Sequence, residues 1–137
     1  MKLLVDTNIF IDVLQARVPF FQASAGALTL ADTGKVVAMV PGHTPATVHF
    51  LIRRALGRLR ADEAIDWLLD TFDVVPATAA SYRRARDFGF ADYEDGVVAA
   101  MAEQAQCDFV LTRNPSDFKS GPVAAITPSE LLQLVGR

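Results

Sequence analysis

The chain has 137 residues, of which 51% are hydrophobic and 21% are charged, and its formal net charge is −3. A chain of this length and hydrophobicity can bury a core, so we expect one folded domain over residues 1–137 and no long disordered segment. The negative charge argues against a protein that coats nucleic acid through a generally basic surface, although it allows a local basic patch.

The apolar runs are short and are interrupted by charges, so we expect no membrane-spanning segment. The sequence opens with a short charged strand that is followed directly by an acid, and we therefore expect no secretory signal. The single cysteine, Cys107, rules out an internal disulfide, which fits a reducing compartment. These features lead us to expect a cytoplasmic protein.

Short apolar segments alternate along the chain with longer segments of helical periodicity. The predicted strands are residues 3–6, 36–40, 73–75, 109–112 and 123–126. The predicted helices are residues 8–15, 20–33, 44–56, 61–72, 79–88, 93–106 and 128–135. Thr44 and Thr127 are the expected N-caps of their helices, since each precedes a proline. This alternation favours an α/β fold with a parallel sheet that is covered by helices on both faces.

Asp6 comes directly after the first predicted strand, in the segment LLVDTN. A carboxylate at the end of a buried strand costs free energy unless a proton, an opposite charge or a metal ion satisfies it. Ligands of parallel sheets gather beyond the carboxyl ends of the strands. Asp6 is therefore the first candidate for a functional site.

Two further acids, Asp92 and Asp95, begin the helix predicted at residues 93–106, and their spacing places them on one face of it. Asp is also favoured at an N-cap and in the first turn for purely structural reasons, so this alternative stays open. Glu94 is expected to point elsewhere on the helix, into solvent.

The segment DFVLTRNPSDF repeats the pattern of the first strand, with Thr112, Asn114 and Asp117 after an apolar run. Taken alone, Asn114 and Asp117 are explained by a turn. Several acids gathered at one edge of a sheet, however, need a cation, and oxygen ligands favour Mg²⁺ or Mn²⁺. A carboxylate-bound ion of this kind typically serves phosphate-ester chemistry.

Three segments together carry a family resemblance: VDTNIFID, DYEDGVVAAMAEQAQCDFVLTRNPSDF and TPSELL. They resemble the PIN domain, and in particular its bacterial VapC-like toxins, over essentially the whole chain. The resemblance implies a three-layer α/β/α sandwich with a mainly parallel central sheet. It also implies a Mg²⁺- or Mn²⁺-dependent endoribonuclease that hydrolyses RNA phosphodiesters by metal-activated water.

Carried over by position, the resemblance implies four catalytic and metal-binding acids and three supporting residues. The acids are Asp6, Asp92, Asp95 and Asp117, of which Asp92 is an additional acid seen in one branch of the family. The supporting residues are Asn8, Thr112 and Asn114.

One position departs from the family pattern, because Thr47 stands where many members have a metal-site Glu. Asp92 could restore that charge, or the domain could bind metal weakly. The alternative hypothesis is accordingly a degenerate PIN module that binds RNA or a protein partner without cleaving it. An unrelated phosphohydrolase is disfavoured, because no second Asp lies two residues after Asp6.

The expected partners are an RNA substrate, a cognate antitoxin protein and a second copy of the chain in a homodimer. Arg53, Arg54 and Arg113 are candidate phosphate contacts for RNA. Arginines cluster in two segments, residues 53–60 and 83–86. A solvated helix face explains these clusters as well as RNA binding does.

Overall fold

The computed structural model describes residues 1–136, which form a single five-stranded sheet with helices on both faces. The strands are β1 (Lys2–Val5), β2 (Val37–Pro41), β3 (Asp73–Val75), β4 (Phe109–Leu111) and β5 (Ala124–Ile126). The helices are α1 (Thr7–Leu14), α2 (Phe21–Asp32), α3 (Thr44–Leu56), α4 (Arg58–Thr71), α5 (Ala79–Phe88), α6 (Tyr93–Gln104) and α7 (Pro128–Val135). A short 3₁₀ helix, Pro115–Phe118, follows β4.

All pairings between neighbouring strands are parallel, and the strand order is β3-β2-β1-β4-β5. The predicted α/β sandwich with a parallel sheet is confirmed. Because the chain moves outward from β1 in one direction through β2 and β3 and in the other through β4 and β5, the order reverses between β1 and β4. Such a switch point opens a crevice beyond the carboxyl ends of the two strands.

Alternating side chains of β1 enter two separate cores, as the pleat of a strand requires. Leu3 and Val5 belong to the larger core, which contains buried side chains of α1, α2, α3, α4 and α7. Leu4 belongs to the smaller core, which α5, α6 and the 3₁₀ helix complete. Both faces of the sheet are therefore covered at its centre, which explains the apolar runs of the central strands β1 and β4.

The predicted elements are all present, and the differences lie at their ends. Helix α4 begins at Arg58 instead of residue 61, directly after Gly57, whose positive φ of 91° separates it from α3. We had expected Thr44 to be the N-cap of α3, but that position belongs to His43. Thr127 does cap α7, and its hydroxyl accepts a hydrogen bond from the Glu130 amide.

Within residues 1–136, no helix has both the length and the hydrophobicity that crossing a bilayer would need.

Candidate functional site: an acidic pocket at the switch point

Asp6 lies between β1 and α1, at the switch point of the sheet. It occupies the N-cap position of α1, but its side chain makes no capping hydrogen bond. Its Oδ2 atom instead accepts a hydrogen bond of 2.9 Å from the hydroxyl of Thr112, which follows β4 and is 1% exposed. The carboxylate is thus held by the neighbouring strand and turned away from the task of capping its own helix.

The pKa of Asp6 is raised above its ordinary value of 3.8, chiefly because burial penalises the charged form. The hydrogen bonds from Thr112 and from the Thr7 backbone lower this pKa, whereas the nearby charge of Glu94 raises it. The surroundings of Asp6 therefore supply hydrogen bonds but not enough positive charge to offset its burial.

Asp95 lies in the first turn of α6 and is the most perturbed acid of this group. Its pKa is raised from 3.8 to about 7, first by burial and then by the negative charges of Asp92, Asp6, Asp117 and Glu94. Burial and four neighbouring negative charges thus both favour the protonated form of this carboxyl group.

Asp92 is the N-cap of α6, and its Oδ1 atom accepts a hydrogen bond of 2.9 Å from the Glu94 amide. Asp92 therefore does cap α6, which is the structural alternative that the sequence left open. Capping uses one oxygen of this exposed carboxylate. The same carboxylate also lines a pocket that it shares with the other acids.

A single open pocket of about 270 Å³ brings together the acids that the sequence indicated. Its lining residues are Asp6, Thr7, Asn8, Thr47, Leu51, Asp92, Glu94, Asp95, Asn114 and Asp117. All four predicted acids and two of the predicted supporting residues, Asn8 and Asn114, are among them. The third, Thr112, lies beneath the pocket and acts on it through Asp6.

Glu94 also lines this pocket, and the expectation that it points away from the other acids is wrong. Its side chain is 70% exposed, and its Oε1 atom lies 3.3 Å from Nε2 of His43 at the start of α3. Its place directly before Asp95, in the first turn of the same helix, is the signal in the sequence that could have identified it.

Thr47, at the position of the absent family Glu, lies on the opposite wall of the pocket. Its hydroxyl donates a hydrogen bond of 3.1 Å to the carbonyl of His43, one helical turn earlier. The start of α3 is tied to that of α1 by a hydrogen bond of 2.9 Å between the Thr44 and Thr7 hydroxyls. These hydrogen bonds fix the position of this wall of the pocket, but the neutral Thr47 side chain adds no charge to it.

The three candidate arginines lie outside the acidic pocket. Arg53 and Arg54 are exposed in the last turn of α3, and the Arg54 guanidinium lies 5.6 Å from the centre of the Phe50 ring. Arg113 pairs with the fully buried Asp12 of α1, with 3.0 Å between Nε and Oδ2. Their contact with RNA stays a prediction.

The chemistry of the pocket fits a hard divalent cation. Its possible ligands are oxygen atoms of carboxylates, amides and hydroxyls, and no lysine or arginine is among its lining residues. In the part of the chain that the structure describes, no three acidic, histidine or cysteine side chains are grouped tightly enough to hold an ion. The acids therefore surround the pocket, and their side chains would have to turn inward to share a ligand.

Comparison with known proteins identifies the family and the fold. The family model described as "PIN domain" matches residues 2–116. No curated protein matches the chain by sequence.

Several solved structures share the fold at low sequence identity. A toxin–antitoxin complex from Klebsiella pneumoniae is 22% identical, with a TM-score of 0.69 over 91% of this chain and 96% of that one. VapBC-1 from nontypeable Haemophilus influenzae is 13% identical, with a TM-score of 0.71 over 94% and 99%. Mycobacterium tuberculosis VapC20, described as a Sarcin-Ricin loop cleaving toxin, is 16% identical, with a TM-score of 0.62 over 79% and 86%.

Proposed function

Because this chain belongs to the PIN domain family, whose members are in general nucleases, we propose that it is a metal-dependent endoribonuclease. The observation that carries this proposal is the acidic pocket at the switch point between β1 and β4. Four acids, from the end of β1, the start of α6 and the 3₁₀ helix, line one cavity, and the charges of the other three raise the pKa of Asp95 in addition to its burial.

The acids Asp6, Asp92, Asp95 and Asp117 would hold Mg²⁺ or Mn²⁺. The bound ion would lower the pKa of a water molecule and offset the charge on the phosphate during in-line attack. Thr112 fixes the orientation of Asp6 through their hydrogen bond of 2.9 Å. Asn8 and Asn114 offer amide groups at the rim that can orient the ligands or the scissile phosphate.

Glu94 is our candidate to replace the carboxylate that is missing at Thr47. It lies in the same pocket and its charge already acts on both Asp6 and Asp95. His43 holds it from the start of α3, the helix that also carries Thr47. The pocket therefore has five carboxylates even without the family Glu.

A non-cleaving PIN module remains the second candidate, and the neutral side chain at Thr47 is the observation that favours it. Such a module would bind RNA or a protein partner through the same pocket. It would differ from the nuclease in having no metal-dependent turnover.

We assign the protein further to the toxin half of a toxin–antitoxin pair, acting in the cytoplasm as a homodimer with a cognate antitoxin. The support is that similar folds occur in structures described as VapBC or as toxin–antitoxin complexes. An antitoxin gene beside the gene for this chain is the corresponding expectation.

Incubation of the purified protein with RNA in Mn²⁺, Mg²⁺ or EDTA tests the proposed activity. We expect cleavage with either ion, none in EDTA, and products with a 5′-phosphate and a 3′-hydroxyl, because water attacks the phosphate. Asp6→Asn should abolish cleavage but keep an acceptor for the Thr112 hydroxyl, so its metal-free form should melt no lower than the wild type. Metal-dependent RNA binding without any cleavage would favour the second candidate.

A further inference from the structure

A second pocket lies at the same edge of the sheet, on the other side of the segment that follows β4. It has a volume of about 240 Å³. Its lining residues are Pro19, Phe20, Ala23, Ser24, Arg113, Thr127, Pro128 and Ser129. We call it the Arg113 pocket. None of its lining residues is acidic, in contrast to the pocket around Asp6.

Arg113 contacts an acid and an aromatic ring in this pocket. Its Nε edge lies 3.0 Å from Asp12, in an ion pair whose geometry forms no hydrogen bond, and its guanidinium lies 4.2 Å from the centre of the Phe20 ring. Its side chain is 21% exposed. The remaining N–H donors are on the two terminal nitrogens, where a guanidinium binds planar or tetrahedral oxyanions.

The charge of Arg113 is not used by one acid alone. The Asp12 carboxylate lies between two guanidinium groups, 3.0 Å from Arg113 and 3.9 Å from Arg17, and so is shared between two cations. The Arg113 charge also acts on Asp6, whose pKa it lowers. The terminal N–H groups of Arg113 are the donors that an anion in this pocket would meet.

Ser24 supplies a second, independent sign of a ligand. It is 1% exposed, and its hydroxyl has no hydrogen-bond partner within residues 1–136. A buried hydroxyl without a partner costs free energy, so such groups usually meet a water or a ligand. Ser24 lines the pocket together with Arg113.

The first turn of α7 completes the pocket. Thr127 caps this helix through the Glu130 amide, and Pro128 has no amide hydrogen, so the next residue along, Ser129, presents a free first-turn amide. The Glu130 carboxylate is engaged by the Thr127 hydroxyl at 2.9 Å and is not among the lining residues. First-turn amides of a helix attract anions.

We propose that the Arg113 pocket binds a backbone phosphate of the RNA strand whose scissile phosphodiester lies in the acidic pocket. This proposal rests on the nuclease function proposed above. Asp6 follows β1 and Thr127 follows β5, with β4 between them, so the two pockets lie about 10 Å apart along one edge. A single RNA strand that crosses the ends of β1, β4 and β5 would meet both.

Titration of the metal-free protein with inorganic phosphate, followed by amide NMR in EDTA, tests the pocket without any need for cleavage. We expect saturable shifts at Ser24 and Ser129. Ser24→Ala should weaken phosphate binding about tenfold, the loss of one hydrogen bond to a charged group. Ser120→Ala, a matched change at an exposed serine, should leave binding unchanged. Absence of shifts, or equal binding by both variants, would overturn the proposal.

Fluorescence anisotropy with a labelled oligoribonucleotide in EDTA then identifies the source of the phosphate. We expect Ser24→Ala and Arg113→Lys, which keeps a positive charge beside Asp12, to weaken RNA binding, and Ser120→Ala to leave it unchanged. Weakened binding of inorganic phosphate with unchanged binding of RNA would overturn the assignment to RNA and indicate an acidic segment of a protein partner. If the wild-type protein binds phosphate and RNA as expected but does not cleave RNA with either metal ion, that result would contradict the nuclease function but not the pocket.

Discussion

At the scale of single residues, Asp95 shows best what the acidic pocket costs the protein. Its pKa of about 7 arises from burial and from four neighbouring carboxylates. If these carboxylates hold a divalent cation, as proposed above, repulsion in the free protein is the counterpart of attraction for that cation. The charges that destabilise the metal-free protein are the ones that would bind the ion.

The stability of the metal-free protein should therefore depend on the titration of Asp95. Between its ordinary pKa of 3.8 and its folded value of about 7, the folded chain keeps a proton that the unfolded chain has lost. Stability contributed by this group then falls as pH rises through that range. Asp95→Asn should remove this part of the slope in urea unfolding measured from pH 4 to 8. An unchanged slope would contradict the assignment.

Asp92 is both a cap and a candidate ligand, and two substitutions separate these roles. Asn caps a helix about as well as Asp, so Asp92→Asn should leave stability unchanged, whereas Asp92→Ala should cost about 0.5–2 kcal/mol. If Asp92 also binds metal, Asp92→Asn should reduce RNA cleavage as strongly as Asp95→Asn does. Full activity of Asp92→Asn would leave only the cap.

Glu94 and Thr47 test how the pocket manages without the family Glu. Glu94→Gln should weaken Mn²⁺ binding, and Thr47→Glu should strengthen it, because affinity in such sites follows the charge of the ligands. Without metal, Thr47→Glu should lower the melting temperature, since it adds a charge to a crowded pocket. Glu63→Gln on α4 is a matched control outside the pocket. Calorimetry that shows Glu94→Gln binding Mn²⁺ like this control would remove Glu94 from the site.

At the scale of elements, the buried pair of Asp12 and Arg113 connects α1 to the segment after β4. Asp12 is 0% exposed, and burial raises its pKa although Arg113 and Arg17 lower it. This contact links the two segments that carry Asp6 and Thr112, because Thr112 directly precedes Arg113 and Asp6 lies six residues before Asp12, at the start of the same helix.

Removal of one partner should be costlier than removal of both. Arg113→Met leaves a buried carboxylate with only Arg17 at 3.9 Å, and we expect a loss of about 3 kcal/mol in the free energy of unfolding. The double change Arg113→Met with Asp12→Leu should recover much of it, since apolar replacement of a buried pair is often neutral. Additive losses in a double-mutant cycle would argue against coupling.

The elements themselves were predictable from the sequence because residues 3–5 of β1 and residues 96–102 of α6 form apolar runs, and such runs are typical of buried segments. The first and last residues of these elements were less predictable. The start of α4 at Arg58 follows the positive φ of Gly57, which is a local signal that the predicted start at residue 61 did not use. Thr44 is drawn from capping into a partly buried hydrogen bond with Thr7, and this tertiary contact is one that no local pattern shows.

At the scale of the whole molecule, the strand order explains why distant acids meet. Asp6, Asp95 and Asp117 are far apart in sequence, yet β1 and β4 are neighbours and α6 leads into β4. Chain order and apolar patterns indicated this meeting in advance. The place of Glu94 beside Asp95 was a signal that the sequence offered. The pairing of Arg113 with Asp12 and the unpartnered hydroxyl of Ser24 could not be predicted, because each depends on how side chains pack between elements.

The central claim is that these acids form one binding site for a divalent cation. Calorimetric titration of the metal-free protein with Mn²⁺ above pH 7, where Asp95 is ionised, tests it most directly. We expect saturable binding by the wild type, a loss of affinity of more than about tenfold in Asp6→Asn and Asp95→Asn, and unchanged binding in Glu63→Gln. Absence of saturable binding by the wild type, or equal affinity in all three variants, would contradict the claim.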